Sequence, residues 1–168
     1  MTKPKEHLAD WLRDAHAMEV QSATMMRKLV DRLEHYPELR GRIQRHVQET
    51  EQQAARLEGC IKRHGEKTST VKDIAGKFTA TIQGLSGVVV EDEVVKGHLA
   101  HYVFEHYEIA SYRVLIAAAE AAGDSETRSV CETNLREEEE MAAWLADNLS
   151  ATTQKDLQRD LADLDAKR

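Results

Sequence analysis

The sequence predicts an all-α protein: two antiparallel helix pairs joined by one long crossover. Three observations carry this. Breakers are scarce, with 8 Gly and 2 Pro among 168 residues, in a chain rich in Ala, Leu, Glu, Arg and Lys. Apolar residues recur at steps of three and four along four separate stretches. The one stretch where this periodicity fades, 66–91, is far longer than a hairpin turn and falls between the second and third of them.

The first helix is expected from about Lys5 to Glu34, just after Pro4. Its seam runs Leu8, Leu12, Ala15, Glu19, Ser22, Met26, Leu29, Leu33. HYPE (His35 to Glu38) breaks it, and Pro37 suits the first turn of a second helix that folds back and stops at Gly65. Its stripe is Leu39, Ile43, His46, Thr50, Gln53, Leu57, Cys60. Thr70 with Asp73 signals a short helix over about 71–83 inside the crossover, ended by GLSG. The third helix begins near Asp92, with a stripe of Val95, His98, Tyr102, Glu105, Ile109, Tyr112, Ile116 and Ala119. Gly123 stops it and Asp124 caps the fourth, which carries Val130, Leu135, Glu138, Met141, Ala142, Leu145 and Leu149. An extra amphipathic helical tail, 151–168, follows Ser150. The chain is thus one domain over 1–168, on the ferritin-like four-helix plan, since an up-and-down bundle needs only short loops.

Composition excludes several roles. A net charge of −7 with no basic tail argues against a nucleic-acid surface or a DNA-protecting cage. The N-terminus lacks the apolar core of a signal peptide, and runs such as VLIAAA are too short to cross a bilayer. Cys60 and Cys131 form no CxxC pair, which fits a reduced cytoplasm. No nucleic-acid partner and no membrane are expected.

The chemistry lies in where the glutamates fall. Glu19 is at the middle of helix one and Glu49 near the middle of helix two. Glu105 and Glu108 flank the middle of helix three, and Glu138 is close to the middle of helix four. Helices of this size are roughly 40 Å long, and in an antiparallel bundle their midpoints meet at one level. The glutamates then converge on one slab of the core. Burying one ion costs roughly several kcal/mol, and like charges add repulsion, so protons or cations must accompany them. Carboxylates bridge and chelate hard cations, as in dinuclear sites in bundle cores. Taken singly, any of these glutamates reads as a solvated helix face. Glu137, Glu139 and Glu140 are expected in solvent, and the EEEE run offers four choices for the inward position. Glu19 is the hardest to place outside, because it sits within an apolar seam.

The stretches WLRDAHAMEVQ, YPELRGRIQRHVQETEQQAARLE, DEVVKGHLAHYVFEHYEIASYRVLIAAAEAAGD and LREEEEMAAWL resemble the YciE/YciF ferritin-like family. They cover all four long helices, and EHYEIASY is the most specific. The resemblance implies a homodimer with a dinuclear carboxylate metal site and a part in stress responses. Carried over position by position, the ligands it implies are Glu19, Glu49, Glu105, Glu108 and Glu138. Glu105 and Glu108 also look like the ExxE of rubrerythrin. The ExxH histidines of the wider di-iron class are missing: Gln52 follows Glu49 and Met141 follows Glu138. Two HxxE pairs stand instead, His16 with Glu19 and His46 with Glu49. A pair three apart shares a helix face in either order, so His16 and His46 are nitrogen ligands, partners that orient a carboxylate, or interior histidines bonded to core groups. His106 points off the stripe. Tyr102 and Tyr112 either hydrogen-bond the ligands or serve as core aromatics with a polar tip.

The leading expectation is a ferritin-like protein with two metal ions, iron first and manganese second, oxidising Fe(II) with oxygen or peroxide. The competing readings are a metal-free structural or interaction bundle with a vestigial site, and a rubrerythrin-like peroxidase.

Overall fold

In the computed structural model, which describes residues 3–65 and 94–162, the described residues form four helices. They are α1 (Lys3–Val30), α2 (Pro37–Arg63), α3 (Val94–Ala122) and α4 (Ser125–Leu161). Their ends follow local chemistry. Pro37 opens α2, with Glu38 in its first turn and Lys62 and Arg63 in its last, matching the helix dipole. Gly65 and Gly123 hold φ of 75° and 71°, a left-handed backbone that only glycine adopts cheaply, so each stops its helix. Asp124 then caps α4, accepting from Thr127 N at 2.9 Å and Thr127 Oγ1 at 2.6 Å. The tail expected after Ser150 is continuous with α4, which runs unbroken to Leu161.

Side-chain pairs fix the topology. Arg27 near the end of α1 meets Glu51 of α2, and Leu29 touches Gly97 at the start of α3. His98, near the start of α3, donates from Nε2 to Leu145 O of α4 at 2.9 Å. His64, just past α2, lies 2.9 Å from Asp124 between α3 and α4. Hence α1 runs antiparallel to α2 and α3, α4 runs antiparallel to α3, and α2 and α3 run in the same direction. The helices pack around a square: α1 against α2 and α3, α4 against α3 and, least closely, α2. Because α2 and α3 are parallel, their connection joins opposite ends of the bundle, which is the ferritin-like plan. The residues that make it, and the short helix expected over 71–83, lie outside the described residues.

The core is two apolar clusters with a polar slab between them. One end packs Leu8, Leu12, Leu57, Ile61 and Leu115 with the free cysteines Cys60 and Cys131. Burial pushes the Cys131 thiol up to about 12, so it stays protonated and acts as a small hydrophobe. The other end packs Met26, Leu33, Leu39, Ile43, Met141 and Leu145. Among the described residues no helix is long and apolar enough to cross a membrane.

Candidate metal centre

The slab between the clusters is where four helix midpoints meet. Glu19 and Ser22 enter from α1, His46, Thr50 and Gln53 from α2, His101, Glu105 and Glu108 from α3, and Asn134 and Glu138 from α4, all buried. Glu19, Glu105, Glu108 and Glu138 are each at 0% exposure, which for four carboxylates in one core demands compensation.

Compensation within the chain is partial. Tyr112 donates to Oε1 of Glu19, and Asn134 Nδ2 donates to the Tyr112 oxygen at 2.9 Å. His46 reaches across the bundle: its Nε2 lies 3.2 Å from Glu105 Oε1 and 3.4 Å from Glu138 Oε2. His101 Nε2 lies 2.7 Å from the same Glu105 oxygen. Yet Oε2 of Glu19, both oxygens of Glu105, Glu108 and Glu138, His46 Nε2 and both ring nitrogens of His101 are buried without a hydrogen bond of good geometry. So many orphaned donor atoms at one point are rare in a finished core.

The electrostatics show the same strain. Burial pushes Glu19 up to about 8, against the Tyr112 hydrogen bond and the pull of His46. Burial, then the neighbouring carboxylates, raise Glu108 and Glu138 well above the ordinary range. Burial acts on Glu105 in the same direction, but His46 and His101 outweigh it and hold Glu105 low. His46 is the mirror image: burial would lower it, and Glu105, Glu138 and Glu49 lift it well above 6.5. Burial and mutual repulsion thus favour the protonated forms of Glu19, Glu108 and Glu138, while Glu105 and His46 favour a carboxylate beside an imidazolium.

The residues singled out from sequence divide as follows. Glu105, Glu108 and Glu138 come together, each offering an oxygen within 4.8 Å of the others. His46 joins Glu105. Of the EEEE run, Glu138 is the buried member, while Glu139 and Glu140 are exposed. Glu19 is buried in the same slab, where the charge of His46 pulls its carboxyl down and that of Glu105 pushes it up. Glu49 stands at the rim with its side chain 37% exposed, accepting from Arg42 at 3.1 Å and lying 2.6 Å from His46 Nδ1. That hydrogen bond, more than any other influence, holds Glu49 down to about 2. His16 is half-buried; burial lowers it, and its charged neighbour is Glu58 rather than the slab. His106 is exposed, edge-on to Tyr102 at 4.7 Å between ring centroids. Glu137, expected in solvent, is instead half-buried and tied to α2: Arg56 donates to both its oxygens at 3.0 and 2.8 Å, and Gln53 Nε2 at 3.0 Å.

His101 was not singled out from the sequence. It groups with His46 and Glu105, all buried, with ligand atoms within 4.8 Å. Its signal was present: His101 precedes Glu105 by four residues, one helical turn on the same face.

Two donor types, imidazole nitrogen and carboxylate oxygen, converge here with most of their atoms unpartnered, and the donor set fits a cation: both are ligands of iron, manganese and zinc. Comparison with known proteins agrees with the fold. A protein from Xanthomonas campestris pv. campestris is 40% identical, with a TM-score of 0.83, covering 95% of this chain and 99% of that one. YcfI from Rhodopseudomonas palustris is 25% identical with a TM-score of 0.70, covering 87% of this chain and 94% of that one. The E. coli stress protein YciF is 22% identical with a TM-score of 0.73, covering 92% and 99%. The model of the family described as "Domain of unknown function (DUF892)" matches residues 3–158. With that match running through all four helices, the chain belongs to the DUF892 family, the YciE/YciF group that its helix sequences resemble.

Proposed function

We propose that the slab holds two metal ions, iron first and manganese as the alternative, and that the protein oxidises Fe(II) with oxygen or peroxide. The observation that carries this is the set of orphaned, fully buried carboxylate oxygens on Glu105, Glu108 and Glu138 beside unpartnered imidazole nitrogens. The bound metals would supply the redox chemistry. The chain's own residues do the rest. Glu105, Glu108 and Glu138, with His46, furnish donors, and Glu19 closes the slab from α1. Glu49 fixes the His46 ring through Nδ1 and leaves Nε2 directed inward, the usual way a carboxylate orients a ligating histidine. Tyr112 holds one oxygen of Glu19 and leaves the other open. Glu108 and Glu138 carry protons in the metal-free protein and release them as cations bind. The apolar clusters at either end keep bulk water out, which strengthens every charge interaction in the slab.

A role in a stress response enters this proposal from the description of the E. coli structural neighbour. A homodimer belongs to it as well. Leu99, Val103, Tyr107 and Val114 stand exposed along α3, an apolar face suited to a second copy, and sedimentation of the purified protein tests it.

The deciding experiment is metal analysis of protein purified without chelator, followed by thermal melts with and without Fe(II) or Mn(II). Binding to the folded state alone raises the melting temperature. Glu105→Ala should abolish that rise, and oxygen uptake on adding Fe(II) separates oxidation from passive binding. An unchanged melt with either metal would favour the interaction bundle.

A further inference from the structure

Resting on the metal-binding reading above, we infer that the slab is two unlike metal positions sharing Glu105. His46 and His101 complete one with imidazole nitrogen; Glu108 and Glu138 complete the other with carboxylate oxygen alone.

The geometry separates the donors in this way. One group is His46, His101 and Glu105, and the other is Glu105, Glu108 and Glu138, with ligand atoms in each within 4.8 Å of one another. Two donors about 2.1 Å from a common ion lie no more than about 4.2 Å apart, so each group closes on an ion with small side-chain adjustments. Both histidines approach one oxygen of Glu105, at 3.2 Å from His46 and 2.7 Å from His101, yet neither contact has hydrogen-bond geometry. The second oxygen of Glu105 is unpartnered too, which leaves this carboxylate free to serve both sides.

His101 is the decisive residue. Its ring is 5% exposed, and neither nitrogen has a hydrogen-bond partner. Burial strips both nitrogens of water, and no hydrogen bond of good geometry replaces it. His46 differs in that its Nδ1 is anchored by Glu49, which frees Nε2 for an ion. The second histidine that ExxH motifs would bring from other helices thus arrives one turn before Glu105 on α3.

Unlike donors select unlike ions. The nitrogen-bearing position favours borderline ions such as Co(II), Zn(II) and Fe(II). The all-oxygen position favours harder ones such as Mn(II) and Fe(III). The two positions therefore fill in sequence, and a mixed pair of ions is the stable product when both kinds are supplied.

The test uses the full chain, stripped of metal and titrated with Co(II). Visible absorption and equilibrium dialysis follow occupancy, and paramagnetically shifted imidazole N–H resonances count ligating histidines. The expected result is two binding steps separated by at least about tenfold in affinity, with resonances from two histidines appearing in the first. His101→Gln should lose one of those resonances and weaken the first step by roughly tenfold or more. Glu138→Gln should weaken the second step and leave the first. One histidine resonance or none in the wild-type first step overturns the inference, and this measurement decides even if a variant fails to fold. So does a His101→Gln protein that keeps both steps; in these cases metal binding itself still stands. Absence of any Co(II) binding removes the metal-binding reading and this inference with it.

Discussion

Tyr112 of α3 donates its phenol proton to Glu19 of α1, while its own oxygen accepts from Asn134 at 2.9 Å. All three side chains are buried, so this short chain of hydrogen bonds ties three helices at the level of the metal slab. Tyr112→Phe strands both Glu19 and Asn134. It should cost the metal-free protein about 1–3 kcal/mol in a urea melt. Tyr102→Phe, at a half-buried ring, should stay within about 0.5 kcal/mol. Equal losses from the two would show that the Glu19 contact contributes nothing specific.

The metal-free protein should lose stability as pH rises from about 5 to 8. Glu19, raised from 4.5 to about 8 chiefly by burial, binds more protons folded than unfolded across that window, so folding weakens with each step upward. His46 has the same sign: its raised value gives stability that is present below 6.5 and lost as pH climbs through the folded value. Glu49 and Glu105 are held low, so their contributions exist above about 4.5 and disappear only in acid. A loss on the order of 2 kcal/mol would lower the melting temperature by about 5 °C between pH 5.5 and 8. Metal competes with these same protons, so the loaded protein should show a flat or rising profile. Melts across pH with and without Mn(II) check both halves.

The fold was legible because helix periodicity and stop signals agree: seams at steps of three and four, Pro37, Gly65, Gly123 and the Asp124 cap all stand in the helices they announce. Glu19 could be placed because an acid inside an otherwise apolar seam has no solvent face to turn to. Helix α3 hid more. It is apolar nearly all round, so several stripes fit it equally well, and the one written from sequence passed beside His101 and Phe104, both of which are buried. Asn134 and Thr127 were missed on α4 because a buried polar residue is recognisable only through its partner, Tyr112 in one case and Asp124 in the other. The standing of Glu49 depends on the tilt of one helix by a fraction of a turn, which spacing does not determine.

Glu137 illustrates how a charge run misleads. Its neighbours Glu139 and Glu140 are exposed, but Glu137 faces α2, where Arg56 grips both its oxygens and Gln53 adds a third contact. This is also the side where helices α2 and α4 approach least closely, so the contact bridges the loosest edge of the bundle. The pair remains partly open to water, which limits its worth. Glu137→Ala should cost about 1 kcal/mol, less at high salt, whereas Glu140→Ala should change stability by under about 0.5 kcal/mol. Urea denaturation at two salt concentrations distinguishes a real bridge from a crystal-like surface pairing.

Glu108 separates stability from metal binding more sharply than any other residue. Both its oxygens are buried without a hydrogen bond, and burial followed by Glu138 and Glu19 favours its protonated form. In the metal-free protein glutamine is then nearly the same object: neutral, of equal shape, and relieved of the need to hold a proton. Glu108→Gln should leave metal-free stability within about 1 kcal/mol of wild type, on the favourable side at pH 8. Its effect on the loaded protein is opposite, because an amide oxygen replaces a carboxylate donor. The rise in melting temperature on adding Mn(II) depends on the ratio of free metal to its dissociation constant, so weaker binding shrinks it directly. Paired melts of the two proteins, with and without Mn(II), read both effects at once. A variant that loses more than about 2 kcal/mol without metal, yet keeps the full metal-dependent rise, would assign Glu108 to the scaffold and not to the ions.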